Sequence, residues 1–372
     1  MRRQRMKRPN FSKFKSSSLD TSGADVDSLV ATYQHFRLRK LLFIVVILAA
    51  LIILTGISVG LGSYEVSFMR VYECIWNAIT GNNDGSVDYS VVVNQRLPRL
   101  VGALIVGCGL AAAGAAMQSM LKNPLADPYT TGISSGASFG ATIAIALGGS
   151  IGLLGAYGTV IGAFVFALIP AGVILMLAAM KKCSPAMMIL AGISIMYIFN
   201  ALTQYFMITM DEQDMAAAYE WTIGTLTKVT WGNIPIMLVI AGVGAALLYY
   251  MAKYLNAMNG GDAFAKTLGI NVQTIRLIIL VVVSIVAAGI VSFTGVIGFI
   301  GMVSPHICRM FIGSDNKLLI PSAMVLGAAL TVFADIVSKV FIVSQVPIGV
   351  VTSLIGGPLF LFLVLRETKE VW

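Results

Sequence analysis

Residues 277–308 read LIILVVVSIVAAGIVSFTGVIGFIGMVSPHIC, a run with no Asp, Glu, Lys or Arg. A hydrocarbon layer of about 30 Å takes about 20 apolar residues of helix, so this run is too long for one crossing. Thr294-Gly295-Val296-Ile297-Gly298 lies in its middle and has the residues of a turn, which predicts two spans, 275–293 and 296–312. A second charge-free stretch separates Lys182 from Asp211. Working outward from these two, spans are expected near 41–61, 97–117, 132–148, 153–178, 187–209, 232–252, 318–338 and 348–365. Composition agrees. Of 372 residues, 58% are hydrophobic and 11% charged, where a soluble domain carries about 25% charged residues. The fold class is an all-α polytopic membrane protein of about ten transmembrane helices.

Lys and Arg set the orientation. With ten spans and both termini cytoplasmic, the inner side receives the ten cations up to Lys40, then Lys122, Lys181, Lys182, Lys253, Lys266, Arg276, Arg309, Lys317, Arg366 and Lys369. Arg70, Arg96, Arg99, Lys228 and Lys339 are left near the outer side. Residues 1–36 form a basic, polar tail without an apolar stripe, expected to be disordered and to lie on anionic lipid; residues 37–372 form the membrane domain. The net charge of +8 sits where membrane insertion requires it, so it does not indicate nucleic acid.

Several chemistries are excluded. Cys74, Cys108, Cys183 and Cys308 are scattered and form neither a disulfide framework nor a metal site. Gly132-Ile-Ser-Ser-Gly136 imitates a nucleophile elbow but follows a Pro-containing loop, and only His35 and His306 exist. Its small residues, with Gly56 and Gly60, Gly136 and Gly140, and Gly158 and Gly162, suit close helix packing instead. Asp84, Ser86 and Asp88 imitate the start of a calcium loop without its later Gly and Glu, and read as a polar outer loop. Within the spans only Asp335 is acidic, and Lys339 follows it by four residues, a pair that neutralises itself. That leaves no proton relay of the kind secondary transporters use. No phosphate-binding G-x-x-x-x-G-K-S/T loop exists, so energy from ATP must come through another subunit.

A surface for such a subunit is legible in residues 259–276. Asp262 is placed to cap a short helix over 263–268, Gly269 to end it and Asn271 to cap the next. Phe264, Leu268 and Ile270 would face a partner.

The sequence resembles the FecCD-type permeases of ATP-binding-cassette (ABC) importers for vitamin B12, iron-siderophores and haem. The resemblance rests on Gln95-Arg-Leu-Pro-Arg-Leu100, Gly107-Cys-Gly-Leu-Ala-Ala-Ala-Gly114 with Met117-Gln118, and Lys122-Asn-Pro-Leu-Ala-Asp-Pro128. It continues through Gly132-Ile-Ser-Ser-Gly-Ala137, Leu268-Gly269 with Arg276, and Gly298-Phe-Ile-Gly-Met-Val-Ser-Pro-His306. Ala334-Asp-Ile336, Pro347-Ile-Gly-Val-Val-Thr352 and Gly356-Gly-Pro358 complete it. It implies a type II ABC importer permease fold in the plasma (inner) membrane of a prokaryote. It also implies a second permease subunit, copy or paralogue, and two ABC ATPase subunits below that use ATP and Mg, with no cofactor and no catalytic residue in this chain. An extracytoplasmic substrate-binding protein would dock above, its acidic groups meeting Arg96, Arg99 and Lys339. Arg96 and Arg99, three apart, are expected to project from one helical face with Pro98 in the first turn. Asn123 and Leu125 match a cytoplasmic gate. Coupling to the ATPase maps onto Asp262, Ala263, Phe264, Leu268, Gly269 and Arg276. Pro185 and Ala186 depart from the Thr-Ser of a second gate in the B12 relative. Iron-siderophore is the first expectation for cargo, then corrinoid, then haem; a secondary transporter or channel without an ATPase is the alternative class.

Overall fold

The computed structural model describes residues 23–82, 84–147, 157–180, 185–340 and 346–366, and every element in these ranges is helical. In chain order the helices are α1 Gly23–Gly60, α2 Phe68–Thr80, α3 Val87–Leu121, α4 Ile133–Ala146, α5 Gly158–Ala179, α6 Pro185–Thr209 and α7 Glu212–Ile223. They continue as α8 Ile234–Tyr250, α9 Ala252–Asn259, α10 Asp262–Thr267, α11 Val272–Thr294, α12 Ile300–Ile312, α13 Asn316–Val340 and α14 Ile348–Arg366. Residues up to Phe43 form one unit and residues from Ile44 onward another, the helical bundle.

Each of the ten expected spans overlaps a helix, although residue 148 and residues 153–156 of two of them lie outside the described residues and 296–312 becomes helical only from Ile300. Among the described residues six are long and apolar enough to cross a membrane, and α8 with α9, bent by 48°, makes a seventh. The apolar helices α4, α12 and the first part of α14 are shorter. Helix α1 begins at Gly23, so the disorder expected over 1–36 is corrected for residues 23–36, which extend the first helix; residues 1–22 lie outside the described residues.

Helix α3 is the centre of the bundle and is 83% buried in its apolar stretch, where α6 is 17% buried. Its sequence explains this, because Gly107, Gly109, Ala111, Ala112, Ala113, Gly114, Ala115 and Ala116 make it thin on every side. Small residues let helix backbones touch, which replaces the hydrophobic driving force that lipid does not supply. A Cβ on Gly114 would overlap the Gly301 carbonyl of α12, and one on Gly107 would overlap the Gly327 carbonyl of α13. Gly140 of α4 and Gly162 of α5 approach in the same way. Gly56 and Gly60 do not; their neighbours are the Tyr72 and Phe68 side chains of α2, at 3.8 and 3.6 Å. Gly114→Val should cost about 1–3 kcal/mol or more, because backbone cannot swing aside as a side chain can. Thermal unfolding in detergent should show it as a lowered midpoint.

The turn expected at 294–298 is present. Helix α11 stops at Thr294, Gly295 takes φ +67°, and Phe299 takes φ +68° before α12. A non-glycine residue held there is strained, and the Phe299 ring lies over Gly356 of α14, where a Cβ would collide with it.

Candidate functional site

At one end of the bundle three helices are tied by a buried ion-pair network. Asp335 of α13 is fully buried; its Oδ1 accepts from Arg99 Nε of α3 at 2.6 Å, and its Oδ2 faces Lys339 Nζ at 2.7 Å. Arg99 also donates to Ser338 Oγ at 3.2 Å, and Ser338 donates to Val346 O. Lys339 donates to Ser58 O and Oγ of α1 at 3.3 and 3.1 Å. Arg96, 5% exposed, donates to Val59 O at 3.0 Å, Gly60 O at 2.9 Å and Tyr64 O. The Val59 and Gly60 carbonyls end α1 and Tyr64 lies just beyond it, and a cation at a helix C-terminus satisfies acceptors that have no partner along the helix.

The projection expected of Arg96 and Arg99 is therefore corrected. Both turn inward, one onto the end of α1 and the other onto Asp335. Lys339 does pair with Asp335, as its spacing indicates, but the pair is a triad because Arg99 joins it. Pro98 does lie in the first α-helical turn, yet a π-helical stretch, Ser90–Arg96, precedes it instead of a loop. That wider turn accommodates the missing proline N–H and its bulky ring. The network borders a cleft of about 420 Å³ whose lining includes Ser63, Asn94, Gln95, Thr227 and all three cations. Three cations against one carboxylate leave this cleft positive.

Nearby, Arg70 of α2 pairs with Glu73 at 3.1 Å, Asp84 at 2.5 Å and Asp88 at 3.4 Å. The carboxylates that imitate a calcium loop thus already have a cation. Hydrogen bonds from the Ser86 backbone and hydroxyl, then Arg70, hold the Asp84 carboxyl below the usual range.

At the Lys122 end, α3 closes with Lys122 in the left-handed region, φ 49°. Asn123 Oδ1 accepts from Leu125 N at 2.9 Å, a local turn that leaves Leu125 46% exposed at its tip. Gln118 pins the loop from inside, donating to Pro124 O at 2.8 Å and to Met302 O of α12 at 2.9 Å. Asp127 and Thr130 form a capping box over the 3₁₀ turn Pro128–Thr131. Helix α6 begins at Pro185, so the second-gate positions Pro185 and Ala186 sit in its first turn; the preceding residues 181–184 lie outside the described residues.

The segment between α9 and α11 has the expected shape with one change of cap. Helix α10 is Asp262–Thr267 and Gly261 precedes it, so Asp262 is inside the helix instead of capping it. Its carboxylate takes the Arg276 guanidinium of α11 at 3.2 Å, which clamps the two helices. Gly269 at φ +77° turns the chain, and Asn271 caps α11 through Thr274 N at 3.2 Å. Phe264 and Leu268 are 51% and 57% exposed, Ala263 is exposed, and Ile270 is half-buried. An apolar pair held outward on a clamped turn is a docking shape.

One feature of this end was not legible from spacing. Asn256 of α9 donates to Asp315 Oδ1 at 2.6 Å and accepts from the Asn316 backbone and side chain at 2.7 and 2.9 Å. Asn316 Oδ1 in turn accepts from Ser119 of α3 at 2.6 Å, and Asn259 donates to Ser314 O at 3.0 Å. The amides tie the segment carrying α10 to the end of α3, next to the loop of Asn123 and Leu125.

Residues 47–366 match the FecCD transport family. The chain belongs to that family. The hemin transport system permease protein HmuU of Yersinia pestis is 34% identical to it over 90% of this chain and 98% of that protein. The iron(3+)-hydroxamate import system permease protein FhuB of Bacillus subtilis is 33% identical over 88% of this chain and 84% of that one. A solved inward-facing structure of an ABC transporter of metal-chelate type covers 87% of this chain and 98% of its own, with a TM-score of 0.75 at 28% identity. The chain is thus a multi-pass permease of the metal-chelate importer family, with the permease fold of that structure.

Proposed function

We propose that this FecCD permease imports an iron-siderophore chelate with energy from two separate ABC ATPase subunits. A second permease copy or a paralogue completes the path, and an extracytoplasmic binding protein delivers the chelate. The observation that carries this reading is the clamped α10 turn, which holds Phe264 and Leu268 out of the bundle and follows α9, whose Asn256 is bonded through Asn316 to the end of α3. A push on α10 would be passed to the loop of Asn123 and Leu125 through rigid groups. The ferric-hydroxamate relative favours a siderophore; the hemin relative makes haem the second reading. The membrane is the prokaryotic inner membrane, with both termini cytoplasmic.

The Arg99 end is proposed as the docking face of the binding protein. Arg96, Arg99 and Lys339 act there through the positive field of the cleft they line, since their hydrogen bonds are already directed inward. Such fields govern association rate and salt dependence more than final affinity.

Asn123 and Leu125 are proposed as the cytoplasmic gate. Leu125→Cys in the assembled dimer should cross-link across the path in the closed nucleotide state and stop transport. Cross-linking in no nucleotide state would remove Leu125 from the gate.

A further inference from the structure

Helix α2 divides its surface into three faces. At 3.6 residues per turn, Phe68, Met69, Tyr72, Trp76 and Ile79 fall within about 100° of arc. All five are exposed. Beside them Thr80, Glu73, Asn77 and Arg70 make a polar face of about 80°. Val71 and Cys74, both buried, lie on the third face and pack against protein. A helix between protein and water alone needs only two faces. The uncovered apolar one calls for an apolar partner.

The packing of α2 sets its depth. The Phe68 ring lies 3.6 Å from where a Cβ on Gly60 would stand, and the Tyr72 hydroxyl 3.8 Å from the same point on Gly56. These glycines fall in the last turns of the apolar span Leu38–Gly60, which has 23 residues. At 1.5 Å each that is about 34 Å, against a hydrocarbon layer of about 30 Å. Phe68 and Tyr72 thus sit at the edge of the layer. Ile52 and Ile53, four and three residues before Gly56, occupy the same side of α1 one turn deeper, and both are exposed. The apolar arc of α2 therefore continues into the exposed apolar surface of a membrane span. Trp and Tyr collect at this level, where a ring can keep its apolar body in lipid and its polar tip wet. Arg70 on the polar face is held by Glu73, Asp84 and Asp88, so this corner offers no net positive charge to anionic headgroups.

We propose that α2 is an in-plane interfacial anchor, its Phe68–Ile79 arc seated at the acyl–headgroup boundary of the phospholipid leaflet on the Arg99 side. Apolar burial holds it there, with no preference among headgroups by charge. Leu61, Gly62, Ser63 and Tyr64, which join α1 to α2, line the positive cleft, and Arg96 donates to Gly60 O and Tyr64 O. A seated α2 fixes that wall of the cleft at a set height above the hydrocarbon. The inference is independent of cargo and of energy source.

The test is a nitroxide scan of α2 in the full chain in phosphatidylcholine nanodiscs, in a background with Cys74, Cys108, Cys183 and Cys308 replaced by Ala. Labels at Met69→Cys, Trp76→Cys and Ile79→Cys should collide several-fold more with oxygen, which concentrates in lipid, than with a neutral water-soluble nickel chelate. The label at Asn77→Cys should reverse that ratio. Replacing part of the lipid with phosphatidylglycerol should leave all four ratios unchanged. Nickel collisions prevailing at 69, 76 and 79 would put the arc in water, and few collisions with either probe would put it against a second copy or another protein; each overturns the anchor. A lipid pattern that appears only with phosphatidylglycerol would overturn apolar burial as its cause. Should the cysteine-free background fail to fold, native Trp76 decides. The emission lost in Trp76→Phe should be quenched more by lipids brominated on the upper acyl chain than by aqueous iodide. Stronger quenching by iodide, or quenching by neither, overturns the anchor.

Discussion

Asp335→Ala is expected to remove most of the folded permease. The substitution leaves Arg99 and Lys339 facing each other in a buried site with no carboxylate between them. Breaking a buried pair from one side costs about 3–5 kcal/mol, because the stranded charge keeps its desolvation penalty. Here two cations are stranded, in a protein whose net stability is of the order of 5–15 kcal/mol. The yield of monodisperse protein after detergent extraction should collapse, and the midpoint of any surviving fraction should fall. Replacing all three groups together, Arg99→Met with Asp335→Leu and Lys339→Met, should recover much of the loss, since apolar groups of similar volume substitute for a buried ionic cluster at little cost. If Asp335→Ala extracts and melts like the wild type, the triad does not hold α3 to α13. The same geometry predicts that Arg99→Glu would damage folding before it could report on docking, so the binding face is better probed by salt dependence with the native arginines in place.

The second large effect is expected from Leu268→Asp combined with Gly269→Asp. Leu268 contributes an exposed apolar side chain to the surface around α10, and burying such a side chain against a partner yields about 1.5–3 kcal/mol. Replacing it with a carboxylate removes that gain and adds a charge to desolvate. Co-elution of the ATPase and ATP-dependent uptake should both be lost. Membrane insertion should be retained, because neither position contributes to the core. Arg276→Met, which releases the clamp on Asp262 but leaves Phe264 and Leu268 exposed, should lower uptake less than the double substitution. Full association and uptake in the double variant would contradict the assignment of this segment.

The spans were legible because the signal is local. A charge-free run such as 277–308 needs no knowledge of its neighbours, and Gly295 punctuates it at the point where α11 ends. The α10 turn was legible for the same reason, since Gly269 and Asn271 act on the residues beside them; only the first cap was misplaced, by one position. What stayed hidden was long-range. Arg99 and Asp335 are 236 residues apart, and nothing in either stretch says that one closes on the other. The spacing of Arg96 and Arg99 predicted a shared outward face, but both lie on the central helix and turn into protein, and the sequence does not say which helix is central. The amphipathic α2 and the short α7 were missed because neither is long or apolar enough to stand out beside the spans. The Asn256–Asn316 bridge left no trace, because a single amide at a helix end reads as an ordinary cap.

The proposed function has this permease move its chelate with energy from a separate ATPase subunit. Uptake into proteoliposomes tests it, with the permease and the ATPase reconstituted together, ATP and Mg supplied on the ATPase side and the chelate-loaded binding protein on the other. Accumulation should require hydrolysable ATP, disappear when the ATPase carries a substitution of its phosphate-binding lysine, and be indifferent to collapse of proton and sodium gradients. Accumulation by the permease alone, driven by an ion gradient and unaffected by ATP, would contradict it.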